Sequence, residues 1–191
     1  MNFLDFPPEI RLQIYTLLLD PNQYKSGYKQ ITQLMKESHD SCTNTNRVPH
    51  VTFPRLYVTR YTPSILLLNR QIATEALPVL YNAELTLTGT PGAYFVMRQM
   101  DIAEFICETL LQRIRYVVLR LAYPEKFFVL TLLDIWGRGN ELQRVVVYVP
   151  PERKNGDGNW GVVESRLKTF THAEGIHFEM RIVDNPLRNG E

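Results

Sequence analysis

Two short runs set the kind of fold open to this chain. Arg115 to Leu121 carries Tyr-Val-Val-Leu-Arg-Leu, and Gln143 to Val149 carries Arg-Val-Val-Val-Tyr-Val. Both are brief, β-branched and bounded by turn residues, which makes them strands. Between them, Pro124 to Trp136 has helical length and a proline in the first turn, where its missing N–H has no partner to lose. Gly137-Arg138-Gly139-Asn140 stops it, with Gly137 as the expected C-cap. The alternation extends to both sides. Leu85-Thr86-Leu87 is a strand, and Ala93 to Gln112 reads as one long helix with Cys107 inside it. Val162 to Ala173 is a helix ended by Gly175, and Ile176 to Val183 alternates apolar and polar residues as a last strand.

Strands joined by a crossover helix pair in parallel with right-handed connections. The expected class is therefore α/β, with α+β as the alternative: a small, mainly parallel sheet. Strand starts near 85, 116, 145 and 177 recur about every 30 residues. A leucine-rich-repeat solenoid has such a period, and Ile114-x-x-Val117-x-Leu119 fits its pattern. The ladder asparagine is missing, which favours an irregular layer with solenoid-like order.

The amino-terminal third is helical. Pro7 and Pro8 open a helix that runs without Gly or Pro to Leu19, with Asp5 or Phe6 at its cap and Glu9 in its first turn. Ile10, Ile14, Leu17 and Leu18 fall on one flank; Leu12, Tyr15 and Leu19 fall on nearly the opposite one. A helix on one core needs one apolar stripe. With two, it is either enclosed by the fold or shared with a partner. Residues 22–62 are polar, with Ile31 to Glu37 as a short helical turn and Phe53 to Tyr61 as a strand; the rest reads as a loop or insertion. Thr62 and Pro63 open a second helix, with Ile65, Leu68, Ile72 and Ala76 inward and Pro78 expected to end or kink it. The chain thus divides into a helical region, 1–82, carrying a polar insertion at about 22–62; an α/β region, 83–184; and a tail, 185–191, in one compact unit.

Leu4-Asp-Phe-Pro-Pro-Glu-Ile-Arg-Leu-Gln-Ile-Tyr-Thr-Leu-Leu-Leu19 resembles the first helix of the fungal F-box-like proteins, L-P-x-E-[IL]-R-x-x-I-Y-x-x-L-L. Ile65 to Tyr81 is similar to that group's next signature, L-L-x-[CN]-R-Q-I-x-x-E-A-L-P-x-[LF]-Y. The two blocks cover about thirty of the 191 residues. The resemblance implies a non-catalytic protein-interaction module that docks a Skp-type adaptor of a cullin ubiquitin ligase and holds a client protein on its α/β part. Leu4, Pro7, Pro8, Ile10, Ile14 and Leu18 match the motif, and Leu12, Tyr15 and Leu19 complete the candidate partner surface. A compact F-box has no insertion after its first helix, so the alternative is a self-contained α/β domain in which this helix is only structural.

Composition supports neither nucleic-acid nor membrane binding. The net charge is +1, no Lys/Arg run occurs, and no apolar stretch approaches the roughly 20 residues that span a bilayer. Two distant cysteines, with no signal-peptide pattern or glycosylation sequon, point to an intracellular protein, cytoplasmic or nuclear. His39, His50, His172 and His177 lack metal-ligand spacing; no nucleophile elbow or phosphate loop is present; Asp101, Glu104 and Glu108 have the spacing of a solvated helix face. No catalytic residue, metal or cofactor is expected. A pocket joining three of the histidines, Asp101 and Glu164 would revive an enzyme.

Overall fold

The computed structural model describes residues 2–31, 33, 63–89, 92–93, 98–99, 101–151, 158–184 and 186. Helix α1 spans Pro8–Leu18, α2 residues 25–31 and α3 Arg70–Asn82. Strand β1 is Glu84–Leu87, followed by a two-residue antiparallel pair, β2 (Gly92–Ala93) and β3 (Arg98–Gln99). Then come α4 (Glu108–Arg113), β4 (Tyr116–Arg120), α5 (Lys126–Gly137), β5 (Arg144–Val149), α6 (Gly158–Ala173) and β6 (His177–Ile182).

Four strands form one parallel sheet in the order β1-β4-β5-β6, the order of the sequence. The chain is therefore α/β, as its alternation predicts. Register aligns Leu85, Val117, Val145 and Phe178 in one row and Leu87, Leu119, Val147 and Met180 in the next. These rows pack with Leu111, Phe128, Leu132, Trp136, Val163 and Leu167 into the main core. Sequential strands with right-handed crossovers put their helices on one side. The opposite face carries the alternate residues, among them Tyr116, Arg120, Arg144, Tyr148 and Arg181. Gly175, at φ +67, ends α6: Ile176 N–H reaches Thr171 O and Gly175 N–H reaches His172 O, a Schellman turn.

The free edge of β1 is closed by the segment after α1. The Asn22 side chain donates to Glu84 O (3.0 Å) and accepts from Thr86 N–H (2.7 Å), as a neighbouring peptide would. The Tyr24 hydroxyl donates to Thr86 O. Tyr24 and Ile31 belong to the main core. Residues 21–31 are thus not the loop that their composition predicts; with six of the eleven Asn, Gln, Lys or Ser, they still place the large side chains of Tyr24 and Ile31 under the sheet. The predicted helical turn from Ile31 lies almost wholly outside the described residues, and the strand at Phe53 to Tyr61 does entirely.

Other elements also differ from expectation. The helix over 93–112 is absent: a capping box at Asp101 and Glu104 restarts the chain, and extended Cys107 precedes a six-residue α4. Cys107 is consequently exposed rather than inside a helix, and Asp101 and Glu104 cap rather than face water from a helix. The second helix divides into a 3-10 turn, Ser64–Leu67, and α3, because the Asn69 side chain accepts from Gln71 N–H and starts a new helix there. Leu68 falls in that break and is exposed, not inward. Pro78 does not stop α3, which runs on to Asn82 with Ala76 and Leu80 buried on either side; burial outweighs one lost hydrogen bond. The glycine in the left-handed region after α5 is Gly139 (φ +151), not Gly137.

Candidate functional site

Helix α1 rests on α3 through a polar fork. Arg11 donates from Nε to Glu75 Oε2 (2.9 Å) and from Nη2 to Glu75 Oε1 (2.8 Å). Its Nη1 donates to Phe6 O (2.6 Å) and Leu4 O (3.2 Å), holding the chain that enters the helix. Tyr15 donates its hydroxyl to Glu75 Oε2 (3.0 Å), and Gln71 donates to Oε1 (3.0 Å). Hydrogen bonds from Arg11, then Gln71, hold the Glu75 carboxyl at about 2. The same pairing raises Arg11, and burial raises the Tyr15 phenol. Glu75 and Arg11 therefore stay charged across the physiological range, and the fork is a fastening. Beside it, Tyr15, Leu19, Ile72, Ala76 and Leu80 form a second apolar cluster, with Phe3, Leu4, Ile65 and Val79 at its margin.

This arrangement decides which flank of α1 is inward. Tyr15 is 1% exposed, and Leu19 and Arg11 are buried with it. Leu17 is 86% exposed, Leu12 is 52% exposed, and Ile10 and Leu18 are exposed beside them. Ile14 and Leu4 are half-buried, and Pro7 and Pro8 are exposed. The chain's own residues thus cover Tyr15 and Leu19 and leave no surface for a partner there. Pro7, Pro8, Ile10, Leu12 and Leu18 remain accessible. Leu17, Leu67 and Leu68 are exposed too and fall outside the candidate partner surface read from the sequence. The cap of α1 is Pro7; Asp5 instead accepts from Asn2 N–H in the preceding turn.

Among the described residues, the groups considered for chemistry are spread over several elements. His172, at the end of α6, lines a shallow groove with Lys168, Thr171, Ile176 and Phe178. His177 is exposed on β6, Asp101 caps its turn, and Glu164 pairs with Lys168 (2.7 Å). His39 and His50 lie outside the described residues. Among the described residues, no three His, Cys, Asp or Glu gather as a metal site, and no helix is long and apolar enough to cross a membrane. Compared with family models, characterised proteins and solved structures, the chain matches none.

Proposed function

We propose that the chain is a non-catalytic interaction module that docks a Skp-type adaptor of a cullin ubiquitin ligase through the outer flank of α1, leaving the α/β part to hold a client. One observation carries the reading. The helix is fastened by Arg11, Tyr15 and Leu19, yet Ile10, Leu12, Leu17 and Leu18 on its other sides meet solvent. Large apolar side chains grouped on one exposed helix suit an apolar groove on a partner. The resemblance of the two signature blocks to the fungal F-box-like proteins supplies the partner's class.

The fork supports a second reading, in which α1 is only a cap on the α/β domain. Arg11 of the first block and Glu75 of the second point at each other rather than outward. Co-migration with a Skp-type adaptor in size-exclusion chromatography separates the two. Adaptor docking requires a complex with the intact chain that Leu18→Asp abolishes while the melting temperature stays unchanged. A folded chain that forms no complex leaves the cap.

A further inference from the structure

Helix α5 is apolar almost all the way round. Phe, Val, Leu, Ile and Trp fill eight of its twelve positions, and Lys126, Thr131, Asp134 and Gly137 take the rest. A helix of that kind belongs inside a protein. The main core takes Phe128, Val129, Leu132, Ile135 and Trp136, and α4 and α6 pack beside it. One strip is nevertheless bare. Phe127 is 51% exposed and Leu130 is 38% exposed, and Tyr123, just before the helix, is exposed with them.

The charges on this strip are arranged symmetrically. Lys126, Leu130 and Asp134 follow one another at i, i+4 and i+8, and all three are exposed. Leu130 is their midpoint, with the lysine about 6 Å along the axis on one side and the aspartate as far on the other. The Asp134 side chain is 82% exposed, and Arg138 Nη2 stands 3.9 Å from its Oδ2. Arg138 Nη1 lies closer, at 3.0 Å, to Glu108.

We propose that two copies of this chain pair through α5, antiparallel, about a twofold axis at Leu130. That axis sets Leu130 against its own counterpart and Phe127 level with Leu133 of the second copy. It also sets Lys126 level with the second copy's Asp134. A twofold contact repeats every pair, so one lysine and one aspartate give two ion pairs. A parallel pairing in register sets like charge level with like. An unrelated apolar partner accounts for Phe127 and Leu130, but not for opposite charges at equal distances from Leu130. The helix is about 18 Å long. A single face of that length covers less than the roughly 800 Å² that each partner gives to a stable interface. The dimer therefore forms and dissociates with concentration. Because α1 packs on α3, this contact is independent of adaptor docking.

The test is sedimentation velocity of the full chain over about a hundredfold range of concentration. The mass is expected to rise from that of one chain, 22.3 kDa, toward twice that value. Leu130→Glu abolishes the rise with an unchanged circular dichroism spectrum, and Leu18→Asp, on α1, leaves it intact. Lys126→Asp and Asp134→Lys, each turning both pairs repulsive, weaken the dimer about tenfold. An equimolar mixture of these two variants restores it, because each then meets its opposite charge; misfolding does not produce that recovery. The proposal is overturned by a monomer at every concentration, by a dimer that Leu18→Asp abolishes or Leu130→Glu spares, by single charge variants that pair like the parent chain, or by a mixture that pairs no better than either variant alone.

Discussion

The two apolar clusters of this chain are held by different means. Among the described residues, twenty-five buried side chains fill the sheet core, and the largest fully buried one, Trp136, donates to Leu111 O at 3.1 Å. Five fill the cluster between α1 and α3, against a carboxylate that receives four hydrogen bonds. A large cluster fixes its helices by burial alone. A small one beneath a helix that is greasy on two flanks needs a directional contact to say which flank goes in, and Arg11 with Glu75 gives it. Polar groups of this kind specify an arrangement more than they stabilise it.

The largest expected effect breaks the sheet core: Trp136→Ala costs about 3–5 kcal/mol in urea unfolding, because it leaves a cavity and an unpaired carbonyl. Next comes acid. The Glu75 carboxyl sits at about 2 when folded, against an ordinary 4.5 when unfolded. A depressed folded value adds stability in full above the unfolded value, and that stability is lost as pH falls from about 4.5 toward 2. Hydrogen exchange across that window should therefore show α1 and α3 opening before α5, and Glu75→Gln should remove the difference. Tyr15→Phe, which deletes one donor to Glu75 and keeps the ring, costs about 1 kcal/mol by thermal unfolding. Leu17→Asp, on the bare flank, stays within about 0.5 kcal/mol of the parent chain. A cost like that of Tyr15→Phe would mean that both flanks are structural.

How far the sequence discloses this depends on where each partner lies. β4, β5, β6 and α5 are legible because β-branched runs, Pro124 and the glycines mark them locally. The inward flank of α1 is not, since Ile10, Ile14 and Leu18 look as apolar as Tyr15 and Leu19, and the deciding partner, Glu75, is 64 residues away from Arg11. Tyr24 and Ile31 stay hidden among Gln, Asn and Lys because two apolar positions in a polar stretch make no period. No Lys/Arg run exists in the chain, yet Arg120, Arg144 and Arg181 share one face, because three consecutive parallel strands in register present the same parity. Exposure of Leu17 and Leu68 follows from tertiary packing and has no local signal.

The Asn22 amide has a consequence for copies of this molecule. A parallel sheet laid down in sequence order has two unlike ends, and the last strand of one copy is chemically suited to follow the first strand of another. Such head-to-tail pairing does not close on itself and grows into a fibre. Asn22 and Tyr24 occupy the backbone groups of Glu84 and Thr86 that would receive the newcomer. Two side chains outside the sheet thereby make its first strand a terminus.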